Sequence, residues 1–161
     1  MKSRIEIIEE IKLVGKKVRM SVANNQTQEL WQGFMPNRAT IKNTIGTALY
    51  SVEVYDNLDF FEQFSPTQEF DKWAAVQVRN YESVSEDMEQ LMIPAGLYAV
   101  FLYQGKASEA ITAYQYIYGN WIPNSDYNLD DRPHFALMGE KYKNDDPTSE
   151  EEFWIPVVAK T

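Results

Sequence analysis

The stretch Ile93-Pro94-Ala95-Gly96-Leu97-Tyr98-Ala99-Val100-Phe101-Leu102-Tyr103 decides how this chain folds. From Leu97 to Tyr103 both alternating sets of positions are apolar. That pattern predicts a central strand covered on both faces. Pro94 and Gly96 lead into it, and Gly105 turns the chain after it. Ser108 then suits a helix cap, with Glu109 in the first turn. Ile111, Tyr114 and Tyr118 recur at helical spacing, and Ile117 and Trp121 widen the stripe. Pro123-Asn124-Ser125 ends the helix. His134 to Tyr142 and Phe153 to Ala159 read as two closing strands around the turn Asn144-Asp145-Asp146-Pro147-Thr148.

The same order is legible upstream. Ile5 to Met20 reads as extended, and Val18, Met20 and Val22 alternate with Arg19 and Ser21. Asn25, three residues before Gln28, opens a helix with Leu30, Trp31, Phe34 and Met35 on one stripe. Pro36 predicts a kink or a fresh turn through Ile41 and Ile45, stopped at Gly46. Leu49 to Tyr55 and Trp73 to Arg79 are strand-forming runs. The acidic, Phe-rich segment Asp56 to Asp71 between them is a loop with a short helix or part of a pocket wall. An acidic run, Glu82 to Glu89, precedes the second unit.

Each half thus reads strand, helix, strand, strand, with corresponding elements about 80 residues apart. This predicts an α+β fold of duplicated strand–helix–strand–strand units. An antiparallel sheet would carry two main helices flanking a central pocket. One domain is expected over residues 1–161, with pseudo-repeat halves at about 1–81 and 82–161.

Composition narrows the function. Hydrophobic residues make up 44% and charged residues 24% of the 161, as in ordinary globular chains. Aromatic residues reach 14%, with ten tyrosines, so large rings must fill either the core or a ligand site. The net charge of −9 disfavours phosphate backbones and anionic membrane surfaces. Cysteine is absent and His134 is the single histidine, so neither a thiolate, a Cys metal site nor a multi-His site can be built. No cofactor or metal is expected. No apolar run nears the roughly 20 residues of a membrane span, and the N-terminus lacks a signal-like apolar region. A cytoplasmic location is the expectation.

The chain resembles the GyrI-like family, the effector-binding domain of some AraC-type and MerR-type regulators that also occurs alone. The carrying residues are Ile93 to Phe101, Gly105 and Tyr118-Gly119-Asn120-Trp121-Ile122-Pro123-Asn124-Ser125. Arg132-Pro133-His134-Phe135 and Glu150-Glu151-Glu152-Phe153-Trp154-Ile155-Pro156-Val157 complete them. Leu30-Trp31 and Phe34-Met35-Pro36 carry a looser likeness in the first half. The resemblance implies a central pocket for flat, lipophilic, often cationic molecules, sandwiched by rings and met by an acid. Trp31, Phe34, Tyr114, Tyr118, Trp121 and Trp154 are the expected walls. Glu152 is the expected acid, because it shares a strand face with Trp154. The sequence departs from the family at Ala136 and Met138, where relatives commonly carry Glu and Tyr.

No DNA-reading segment is expected, since the resemblance begins near Met1. The reading is a stand-alone module that senses or sequesters a small molecule. Two alternatives stay open. Glu152 could act as general base in hydrolysis of cyclopropane-bearing electrophiles. An acidic surface could instead inhibit a protein such as DNA gyrase, or contact a separate regulator. Pairing of two copies through a sheet edge is a further expectation.

Overall fold

The computed structural model describes residues 1–161. The extended N-terminal stretch is two strands, β1 (Ser3–Ile8) and β2 (Ile11–Ser21), broken at Glu9-Glu10. Helix α1 (Thr27–Phe34) follows. The N-cap is Gln26, without a side-chain cap, so the capping box expected from Asn25 to Gln28 does not form. Asn25 instead accepts the Thr27 N–H at its Oδ1, 3.0 Å away, in a turn just before the helix. Pro36 does not stop the chain. It sits early in a 3₁₀ turn, Met35–Thr40, where a missing N–H is tolerated. The turn ends there, short of the expected Ile41 and Ile45, because Ile41 is already extended.

Strand β3 (Leu49–Val54), helix α2 (Asp59–Glu62) and β4 (Glu69–Gln77) complete the first half. The second half begins with β5 (Glu89–Ile93) and β6 (Gly96–Gln104). Its main helix is composite: a 3₁₀ turn, then α3 (Ile111–Tyr116), a π turn Ile117–Trp121, and α4 (Ile122–Asn124). Strands β7 (Tyr127–Leu129), β8 (His134–Met138) and β9 (Glu150–Ala159) close the chain. Strands β5 and β7 were not legible in the sequence. Strand β8 stops short of Tyr142 because the chain turns there, with the Tyr142 N–H donating to the Gly139 carbonyl.

The strands pair antiparallel in the order β1-β6-β9-β8-β3-β4-β2-β5, with β7 added on β9. This is an α+β architecture with two main helices on one sheet. The order mirrors about the β8/β3 seam: β3, β4 and β2 on one side match β8, β9 and β6 on the other. Each half lends its leading strand to the other, since β1 pairs with β6 and β5 pairs with β2.

The sheet cannot be flat. Only Glu9-Glu10 joins β1 to β2, although six strand steps separate them in the sheet. Six steps of about 4.8 Å span roughly 29 Å, whereas three residues reach only about 10 Å. The short Pro94-Ala95 link between β5 and β6 makes the same demand. The sheet therefore rolls, and its helix-free face closes on itself around Leu13, Val52, Trp73, Ile93, Tyr98, Val100 and Phe135. Phe135 and Trp154 stack there at 5.3 Å.

The outer face carries the helices. Leu30 and Phe34 of α1 pack on Val14, Ala74 and Val76. Ile117 and Ile122 pack on Ala99, Phe101, Phe153 and Ile155. Close backbone approach between β2 and β4 requires Gly15. A Cβ there would press into the Ala74 carbonyl and come within 2.7 Å of the Ala75 Cα. Gly15→Ala should destabilise the fold by about 2 kcal/mol. An unchanged thermal midpoint would show that the strands part freely.

Candidate functional site

One main helix packs on β2 and β4 and the other on β6, β8 and β9, so the strip of sheet over β3 and β8 runs between them; that strip is the candidate crevice. Strand register fixes its floor. Ser51 is opposite Ala136, and Ala136 is opposite Phe153. Glu53 is opposite both His134 and Lys72. Glu151 is opposite Tyr103. Directly opposed residues share a sheet face. Glu53, Lys72, His134, Ala136, Met138 and Glu151 therefore all lie on the helix side.

Rings wall the crevice in a continuous series. Phe153 stacks between Tyr103 at 5.2 Å and Tyr114 at 4.4 Å. Tyr114 lies parallel to Tyr118 at 6.2 Å. Phe61, from α2, packs on Tyr118 at 4.8 Å and stacks on His134 at 5.2 Å. Tyr55 meets His134, Phe60 and Phe61. The Phe-rich segment thus includes both a short helix and part of this wall. Tyr118 falls in the π turn, which shifts it relative to a regular helix.

The Arg132-Pro133-His134-Phe135 motif anchors the floor. Arg132 pairs with Asp130 at 2.6 Å, donates to the Leu97 and Val157 carbonyls, and lies 4.8 Å over the Tyr98 ring. The Tyr98 hydroxyl donates to the Pro133 carbonyl at 2.7 Å. His134 Nδ1 is hydrogen-bonded with the Tyr118 hydroxyl at 2.9 Å. Burial, and then the Arg132 charge, lower the His134 pKa to about 3, so its ring is neutral.

The electrostatics are concentrated. Lys72 Nζ donates to Glu53 Oε1 at 2.6 Å, and both side chains are largely buried. Burial raises the pKa of Tyr55, Tyr114 and Tyr118, and the Glu53 charge raises each further. Those three rings nonetheless keep partial exposure, as rings lining a narrow crevice do. Burial also lifts the Glu151 carboxyl to about 7. Lys72 pulls it down and Glu53 pushes it up. Glu151 is 7% exposed and has no hydrogen-bond or ion-pair partner in the chain.

The expected site residues divide. Tyr114 and Tyr118 line the crevice. Phe34 is fully buried core, and Trp31 packs edge-on against it at 5.7 Å. Trp121 packs edge-on against Phe101 at 4.9 Å and borders a surface depression of about 370 Å³ with Tyr116 and Asn120. Glu152 and Trp154 do not join Tyr114 and Tyr118. Their strand parity puts them on the rolled face, opposite Leu102 and Val100. Their cation is the chain's own Arg4. It pairs with Glu152 at 2.9 Å and lies 5.7 Å over the Trp154 ring. Glu151 and Glu152 both border an open cleft of about 400 Å³ with Leu102, Leu137 and Lys141.

Sequence reasoning missed Glu53, Lys72, Glu151, Tyr55 and Phe61. A signal existed for Glu151. It is in phase with Phe153, Ile155 and Val157, the buried set of β9, whereas Glu152 is not. Lys72 was signalled too, as a lone charge in phase with Ala74 and Val76. Ala136 and Met138 sit on the crevice floor, so the acid expected there by resemblance is absent. Glu53 and Glu151 supply carboxylates to the same face.

A mirrored α+β sheet whose two helices flank a ring-lined crevice defines a class of small-molecule-binding domain. The chain belongs to the family of the GyrI-like small molecule binding domain, whose model matches residues 1–158. Among solved structures it is similar to SAV2435 bound to tetraphenylphosphonium, with a TM-score of 0.71 and 17% identity over 98% of this chain and 94% of that one. It is also similar to an integron cassette protein from the mobile metagenome of Vibrio cholerae, with TM-score 0.69 and 20% identity over 97% and 95%. The EcmrR C-terminal domain matches with TM-score 0.69 and 16% identity over 99% and 98%. At these identities the likeness is one of fold. No curated protein matches the sequence. No helix is long and apolar enough to cross a membrane.

Proposed function

We propose that this protein binds flat, lipophilic, cationic small molecules in the crevice between its helices. Tyr55, Tyr114, Tyr118 and Phe61 are the walls, and Glu151 meets the ligand's charge. The carrying observation is Glu151 itself: a carboxyl 7% exposed, with no partner in the chain, on the helix side of the sheet, whose charge reaches Tyr103, Tyr114 and Tyr142. A buried acid without a partner is unfavourable, and an incoming cation relieves that. Ring faces attract the same cation through their quadrupoles. The complex of SAV2435 with tetraphenylphosphonium supports the lipophilic, cationic part of this choice.

Calorimetric titration with tetraphenylphosphonium tests the reading. Binding should be saturable and weaken about tenfold in Glu151→Gln, in line with loss of one partly screened charge contact. No binding by the native protein, or equal affinity in the variant, would overturn it.

A second reading, hydrolysis, is favoured by the Glu151 pKa near 7, the range suited to a general base. It predicts turnover of a cyclopropane-bearing electrophile that Glu151→Gln abolishes.

A further inference from the structure

The crevice floor carries a cation of its own. Lys72 lies on β4 among Trp73, Ala74, Ala75 and Val76, where an apolar residue would be the ordinary choice. It holds Glu53 at 2.6 Å with both side chains largely out of water. A buried ion pair is a weak source of stability, because desolvation offsets much of the attraction.

The mirror in the sheet shows what this position does. Ala74 and Phe153 flank the central Ser51–Ala136 pair on its two sides. Lys72 and Glu151 each stand two residues before them, so they occupy corresponding places in the two halves. One half offers a neutralised pair there. The other offers a lone acid.

We propose that Lys72 is a built-in countercharge that sets the charge selectivity of the crevice: by holding Glu53 it leaves Glu151 as the one acid free for a ligand. This rests on the crevice being the ligand site. Without Lys72, Glu53 and Glu151 would both face the ligand, and a cation would no longer be repelled by a fixed positive charge. With it, the crevice presents little net charge and prefers a cation over a neutral molecule of the same shape only modestly. The direction of the Glu151 shift agrees, since Lys72 favours its charged form and Glu53 opposes it.

The test uses two probes of similar bulk, tetraphenylphosphonium and neutral triphenylphosphine oxide, titrated into native protein and variants. The readout is the ratio of their affinities. Lys72→Met should raise the cation preference about tenfold, and Glu53→Gln should lower it by a similar factor. The double variant leaves no buried charge of the pair unpaired. It covers the case in which Lys72→Met alone does not fold. Relative to Glu53→Gln, the double variant should again gain about tenfold in cation preference. An unchanged ratio on removing Lys72 from either background, with both probes still bound, overturns the countercharge while leaving the crevice as the site. If neither probe binds the native protein, the crevice reading falls and the countercharge falls with it.

Discussion

Glu151→Gln should gain on the native protein as pH rises, by about 3 kcal/mol between pH 4.5 and pH 8. The native carboxyl titrates at about 7 and an ordinary one at 4.5. Between those values the unfolded chain has released a proton that the folded chain still holds. Native stability therefore falls as pH rises through this window, and the loss is complete above pH 7. A shift of that size corresponds to roughly 3 kcal/mol at 1.36 kcal/mol per unit. Glutamine has no such window. His134 works in the opposite sense, because its lowered pKa removes stability as pH falls from 6.5 toward 3. It does so in both proteins, so the difference isolates Glu151. Urea unfolding at a series of pH values measures the gap, and parallel curves for the two proteins would refute the buried-acid picture. The variant should therefore be more stable at pH 8 while binding a cationic probe less well.

The second large effect concerns Phe153, which is fully buried between the rings of Tyr103 and Tyr114. Phe153→Ala should destabilise the protein by about 3–5 kcal/mol, since truncating a packed ring removes transfer energy and leaves a cavity. It should also loosen Tyr114, whose neighbour on that side disappears. Phe153→Leu should recover more than half of the loss by refilling volume. Thermal unfolding checks both. A loss below about 1 kcal/mol for the alanine variant would mean the ring series is not a packed unit.

Much of the fold was legible because its strands are long and their patterns strong. Leu97 to Tyr103 reads apolar on both faces, and β6 indeed has the helix layer on one face and the rolled interior on the other. The turn at Pro36 was read from local chemistry that survives in the folded chain, whereas Ser108 lies inside the 3₁₀ turn Ala107–Glu109 and its hydroxyl donates to Asp145 Oδ1 instead of capping a helix. Strands β5 and β7 were hidden, because Glu89 and Gln90 look like the end of an acidic loop and Tyr127–Leu129 is three residues long. Pairing with β2 and β9 makes them strands, and pairing partners are not local information.

The candidate site was half legible. Tyr114 and Tyr118 follow from helical spacing, and α3 with its π turn brings them to the crevice. Glu152 was chosen for its company with Trp154. The two do share a face, but that face is the one the sheet rolls inward, and Arg4 satisfies them. Which face of a strand meets a helix is set by how the whole sheet curves. Two short links, Glu9-Glu10 and Pro94-Ala95, decide that, and their meaning appears only once the strand order is known. Glu53 and Lys72 are likewise a pair only across β3 and β4, 19 residues apart in the chain.

The reciprocal loan of β1 and β5 has a kinetic consequence. Three of the strand pairings, β1 with β6, β2 with β5 and β3 with β8, join one half of the chain to the other. Contacts so remote along the chain must await closure of long loops, which slows folding. Two fragments cut in the exposed stretch Glu82–Asp87 would each lack an edge partner, yet together would hold every complementary strand. Such a molecule lends itself to being split and reassembled, with restored order serving as the signal.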